Sequence, residues 1–228
     1  MVSEKEIMPV RIKFSKTGDL MYISHLDLSR TMQKIMVRSQ IDIWYSEGFN
    51  PQPRIVFALP LPVGVESECE LMDIKINYPM EFSEIKERLQ KNFPREMKVL
   101  DVYSPEVKFK SIFYADYTLK LYSPNLEKDT DKKINDLFSK ECIVTKKSKS
   151  GEKDVDICTF IKKICASQKD GFVEINAIIN AGNESNLNPE LIVEAIKKHL
   201  NIFNTDKITE YCTIMRNCML DEQLNIFK

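Results

Sequence analysis

Residues 45–64 constrain this chain more than any other stretch. They hold four of its ten prolines (Pro51, Pro53, Pro60, Pro62) and two of its six glycines (Gly48, Gly64). Proline fixes φ and restricts the residue before it, whereas glycine admits φ > 0. Such a density prescribes a backbone path rather than a regular element, and loop segments with a prescribed path often carry function. The binding segment read from it is Tyr45, Ser46, Glu47, Gly48, Phe49, Asn50, Pro51 and Pro53. The plain structural alternative is a rigid connection between two strands.

The rest of the composition describes a folded protein. With 228 residues the chain fits one large domain or two ordinary ones. A hydrophobic content of 43% and a charged content of 29% argue against disorder. Net charge is −1, so any nucleic-acid contact has to use a local basic patch. The charged N-terminal residues lack the apolar stretch of a signal peptide, and no apolar run is long enough to span a bilayer. The expectation is a cytoplasmic protein with no membrane contact. Six cysteines are scattered without a Cys-x-x-Cys pair, and there are only two histidines, His25 and His199. That pattern suits buried reduced thiols, and no metal or cofactor is expected.

Two hydrophobic periods alternate along the chain. Val10–Ser15 alternates as a strand, and Ser24 and Asp27 form a variant capping box opening a helix to about Ser39. Ile41–Tyr45 reads as a short second strand, and Arg54–Leu59 as a stretch able to pair. Glu70–Asn77 alternates again, Ser83–Asn92 is helical, and Met97–Tyr103 closes the series. The order β-α-β-β-α-β is the split βαβ pattern of a ferredoxin-like domain. The second half repeats it: a strand over Tyr114–Tyr122 and a helix over 125–139 come first. A polar hairpin around 146–153, a strand over Gly171–Ile179, a helix from Pro189 capped by Asn188, and a last strand over 208–215 follow. Cys158–Gln168 stays open between helix and strand. The expected class is α+β, with two tandem ferredoxin-like units and antiparallel sheets, residues 1–106 and 107–228.

Charge is uneven in the first unit. Residues 10–60 carry Arg11, Lys13, Lys16, Arg30, Lys34, Arg38 and Arg54 against Asp19, Asp27, Asp42 and Glu47, a local excess of three. Arg30, Lys34 and Arg38 are spaced i, i+4, i+8 and share one helix face. Such a stripe can contact phosphates, and its bland alternative is a solvated helix face. The hairpin at 146–153 offers a second patch, with Lys146, Lys147, Lys149 and Lys153 against Glu152. Most of the nearby aromatics (Tyr22, Trp44, Tyr45, Phe49) are expected in the core, although rings on a ferredoxin-like sheet can stack RNA bases. His25, with Asp27 and Glu47, is the one candidate acid–base group, set against an ordinary capping-turn histidine. No Walker loop, nucleophile elbow or dinucleotide fingerprint is present.

Arg11–Leu20, Tyr22–Leu28, Tyr45–Ile55, Phe57–Ser67 and Glu70–Asp73 together resemble the bacterial radical-SAM-linked family of unknown function (DUF2344). Val155–Ile157 and Arg216 are the main matches in the second half. The resemblance implies a role beside a radical S-adenosylmethionine enzyme, acting on RNA or on a translation component. It carries no catalytic residues across. The chain has no Cys-x-x-x-Cys-x-x-Cys to hold a radical cluster, so that chemistry would rest with the partner. The expected function is therefore a non-catalytic partner or substrate-recognition module with RNA as favoured substrate. The alternatives are an RNA-processing or RNA-modifying enzyme using His25, and a protein–protein adaptor docking through 45–64.

Overall fold

The computed structural model describes residues 6–124, 126–148, 151–182, 184–202 and 209–228, with the side chains of 146–148 left aside. The chain is mixed α+β, with antiparallel sheets and four α-helices among the described residues. It divides into two compact units, one running to Phe109 and including Lys228, the other spanning Lys110–Phe227.

In the first unit, β1 (Met8–Lys16) buries Val10, Ile12 and Phe14 completely, the inward half of its period-two alternation. Ser24 caps α1 (His25–Arg38): its Oγ accepts the Asp27 N–H at 3.1 Å and donates to Asp27 Oδ2 at 2.7 Å. One amide is satisfied and a carboxylate is held at the positive end of the helix. Leu28, Met32, Ile35 and Met36 form the buried face of α1. The unit continues with β2 (Ile55–Phe57), β3 (Val65–Ile76), α2 (Phe82–Asn92) and β4 (Met97–Tyr103). The strands lie in the order β4-β1-β3-β2, each neighbouring pair antiparallel. Both helices supply one core with the inward side chains of β1, β3 and β4.

Ile41–Tyr45 does not form the strand expected of it. Only isolated bridges survive, Ile43 to Ile76 and Tyr45 to Pro53. In an unbroken antiparallel ladder residue 45 would face Ile74, yet Ile55 stands there. Ten residues thus leave the sheet edge and return to continue it. Pro51 and Pro53 have no N–H for a ladder, which is why the interruption falls here.

The second unit opens on β5 (Tyr114–Tyr122), which buries Ala115, Tyr117, Leu119 and Leu121. Its first helix, α3 (Thr130–Phe138), begins later than the sequence suggests, and Asn125 lies outside the described residues. The hairpin is formed by β6 (Ile143–Ser148) and β7 (Gly151–Asp156) as a separate two-stranded sheet. Of its lysine tip, residue 149 and the side chains of 146–148 lie outside the described residues, and Lys153 is exposed on β7. Asp156 accepts from the amides of Cys142 at 2.9 Å and Cys158 at 3.0 Å, closing the hairpin base. The ambiguous stretch resolves into a short 3₁₀ turn, Ile157–Phe160, and β8 (Ile161–Lys169). Next come β9 (Phe172–Asn180), α4 (Glu190–Leu200) and β10 (Tyr211–Leu220), in the order β10-β5-β9-β8. The N-cap position of α4 falls on Pro189 rather than on Asn188, whose Oδ1 accepts from the Glu190 amide at 3.2 Å. The last strand starts at Tyr211, and residue 208 is outside the described set.

Arg11 is the first correction to the basic stripe. Its side chain is fully buried, and it forms a bidentate pair with Asp73 (Nε–Oδ1 2.7 Å, Nη2–Oδ2 2.8 Å). It also donates to the carbonyls of Lys228 (2.9 Å) and Val107 (2.8 Å), with its guanidinium 4.3 Å from the Phe109 ring centre. Lys16 is 1% exposed and donates to the Leu20 carbonyl at 3.2 Å. Neither can reach a phosphate in the folded chain. For Arg11, a period-two pattern says only that the residue faces away from the helices, not that this face is open.

Among the described residues no helix is long and apolar enough to cross a membrane. No three His, Cys, Asp or Glu side chains gather there as a metal would need.

Two outcomes are expected. Asp73→Ala strands the buried Arg11 charge and costs about 3–5 kcal/mol in urea unfolding, far above a surface substitution. Burial pushes the Cys142 thiol up to about 11 and the Cys212 thiol up to about 12, from 9.0. The folded state therefore holds these protons more tightly than the unfolded one. Their contribution is intact below pH ~9 and is lost as pH rises from there towards 11–12. Unfolding midpoints measured across that window should fall, and native alkylation of both thiols should be slow at neutral pH.

Candidate nucleic-acid interface

Opposite its buried face, α1 carries Arg30, Gln33, Lys34, Val37 and Arg38, itself a 3.6-residue stripe. With Tyr45 and Pro53 these residues line an open cleft of about 590 Å³. No carboxylate lines it. Arg30 has a loose partner in Asp27 at 3.7 Å, with both side chains more than half exposed. Lys34 and Arg38 are exposed and form no ion pair among the described residues.

The facing wall is the base of the excursion from the sheet edge. The Tyr45–Pro53 bridge is reinforced by Ser46 N–H to Gln52 O (2.9 Å), Gln52 N–H to Ser46 Oγ (3.0 Å) and Arg54 N–H to Trp44 O (3.1 Å). The Trp44 amide donates to Lys75 O at 2.7 Å, fixing this base to β3. Gly48 sits at φ 127, a conformation closed to side-chain-bearing residues, with open space around it. Residues 45–53 thus form a closed-base projecting loop. The remainder of the Pro/Gly segment is structural: Leu61 is buried, and Gly64 (φ 86) turns into β3 with its amide bonded to Met21 O at 2.9 Å.

Alternation sends the neighbours of Tyr45 to the other side of the sheet edge. Arg54 stands over the Trp44 ring at 5.4 Å, with Lys75 Nζ at 5.6 Å. Arg54 therefore does not line the cleft, and Lys13 lies half-buried on β1. Of the seven expected phosphate contacts, only Arg30, Lys34 and Arg38 meet at one place. Gln33 and Val37 were legible as members of the same stripe, since both keep its spacing. Lys75 was not, because nothing local ties it to Trp44. The aromatics depart from expectation as well: Phe49 is fully exposed, and Tyr22 and Tyr45 are exposed rather than core.

His25 is exposed and packs edge-on against Phe57, ring centres 5.1 Å apart. Asp27 is occupied by Ser24 and Arg30. Among the described residues no hydrogen bond or ion pair joins His25, Asp27 and Glu47. The geometry makes no acid–base group of them.

The cleft and its loop lie within a longer homologous stretch. Residues 10–189 match the family described as "Uncharacterized protein conserved in bacteria (DUF2344)". This chain belongs to that family. Its matched region begins at β1 and reaches the start of α4, so the α1 stripe, the 45–53 loop and the Arg11–Asp73 pair are all inside it. No curated protein matches the chain. Among solved structures, an unknown protein from Galdieria sulphuraria is 8% identical, covering 92% of this chain and 99% of its own, with a TM-score of 0.26. At that score the overlap informs neither fold nor site.

Gly48→Val should strain the loop without touching the core. Proteolytic nicking within 46–52 is expected to rise several-fold while the global unfolding free energy from urea titration changes by less than about 0.5 kcal/mol.

Proposed function

We propose that this member of DUF2344 is a non-catalytic substrate-recognition module that binds RNA through the α1 cleft and works with a radical S-adenosylmethionine enzyme. One observation carries the RNA half. The basic helix stripe and the proline-rich segment, far apart in character, meet as the two walls of one cleft with three cations and no acid. Phosphate oxygens answer that charge, and Tyr45 supplies a ring at the wall. The partner half is supported by the resemblance of residues 10–75 to radical-SAM-linked proteins and by the missing cluster motif. The substrate class that joins the halves is RNA or an RNA-bearing translation component.

The reading includes the fold. The strand orders β4-β1-β3-β2 and β10-β5-β9-β8 support two tandem ferredoxin-like units, with the β6–β7 hairpin inserted between α3 and β8 of the second. On such a scaffold a helix stripe beside an edge-strand excursion is a surface site rather than an enclosed pocket.

Salt dependence tests the RNA reading. Titrating labelled single-stranded RNA at several salt concentrations should give a negative slope of log K on log salt. Lys34→Ala with Arg38→Ala should weaken binding and flatten that slope by about 0.7 for each lost phosphate contact. A double variant that binds as the parent does would remove the cleft from the account. For the partner, pull-down of the full chain from its own cells should bring a radical enzyme with it; repeated capture without one would end that half.

A further inference from the structure

Resting on the cleft as an RNA site, we infer that the 45–53 loop selects single strands, with Phe49 stacking on an unpaired base. Phe49 sits at the middle of the seven-residue turn Ser46–Gln52, with a relative exposure of 112%, more than an extended reference chain allows it. No ring or hydrogen-bond contact engages it among the described residues. A lone exposed apolar residue is ordinary on a protein surface. This one differs in its mounting. Its backbone is held by the Tyr45–Pro53 bridge and the Ser46–Gln52 bonds, and Pro51 and Pro53 restrict the returning arm. The ring is presented by a fixed loop, so little conformational freedom is lost when something stacks on it.

The charges below the ring choose the occupant. One side of the loop base faces Arg30, Lys34 and Arg38, and the other carries Arg54 and Lys75 over Trp44. Cations therefore flank the base on both sides while the aromatic stands at the tip. Phe49 lies four positions from Tyr45, at most ~14 Å of chain. A single strand offers phosphates and unstacked bases within such a span. A duplex offers phosphates only, because its bases are stacked inside. An apolar protein partner would match the ring and leave five cations unanswered.

The test uses the full chain with a labelled single-stranded RNA of about 12 nucleotides and a blunt duplex of equal length, within the usual site size. The parent should favour the single strand. Phe49→Ala should lose roughly 5- to 140-fold on the single strand, the range set by stacking one base. Its duplex affinity and salt slope should not change, and Phe49→Trp should restore binding. Equal affinity of Phe49→Ala and parent for the single strand overturns the inference, as does an equal loss on the duplex. In both of those outcomes the cleft still binds RNA. Failure of the parent to bind either RNA at about 50 mM salt overturns the cleft reading itself.

Discussion

The buried Arg11 guanidinium organises the first unit. A cation out of water costs several kcal/mol unless its charge and all its donors are met. Here Asp73 takes two donors, the Val107 and Lys228 carbonyls take others, and the Phe109 ring covers one face of the plane. The consequence is geometric. β1 is locked to β3 at the Arg11–Asp73 register, and residues 107–109 are drawn over the sheet face that the helices do not cover. A lysine could not do this, since a single ammonium has no planar fork.

With β3 fixed, the edge strand beside it determines where the site forms. β3 offers partners at Ile76 and then at Ile74, Asp73 and Met72, and the chain fills them from two segments ten residues apart in register. What lies between has to project. Its closed base brings Tyr45 and Pro53 against the solvent stripe of α1, while Trp44 and Arg54 turn to the other side. The cleft is thus a by-product of interrupting a strand next to an amphipathic helix. The same interruption exposes Phe49.

Much of this was readable from residue order. The α1 boundaries follow from Ser24, Asp27 and the 28-32-35-36 spacing, and local rules hold because capping and helical periodicity involve residues within four positions. The stripe at 30, 34 and 38 was legible for the same reason. Ile41–Tyr45 misled because alternation marks a residue's facing but not whether a neighbouring strand is there to pair. Arg11 misled similarly: the groups that cover it come from residues up to 217 positions away. Tyr45 and Phe49, expected in the core, are on the surface because the excursion carries them off the sheet.

The sequence by itself determined most of the elements and their order, the helix stripe and the place where the chain must break from a regular path. These depend on short-range sterics, capping and the periods of helix and strand. Only the tertiary structure decided which cations are free and which are buried, and that the stripe and the proline-rich loop share one cleft. Those outcomes turn on desolvation and on strand register, which are set by residues far apart in the chain.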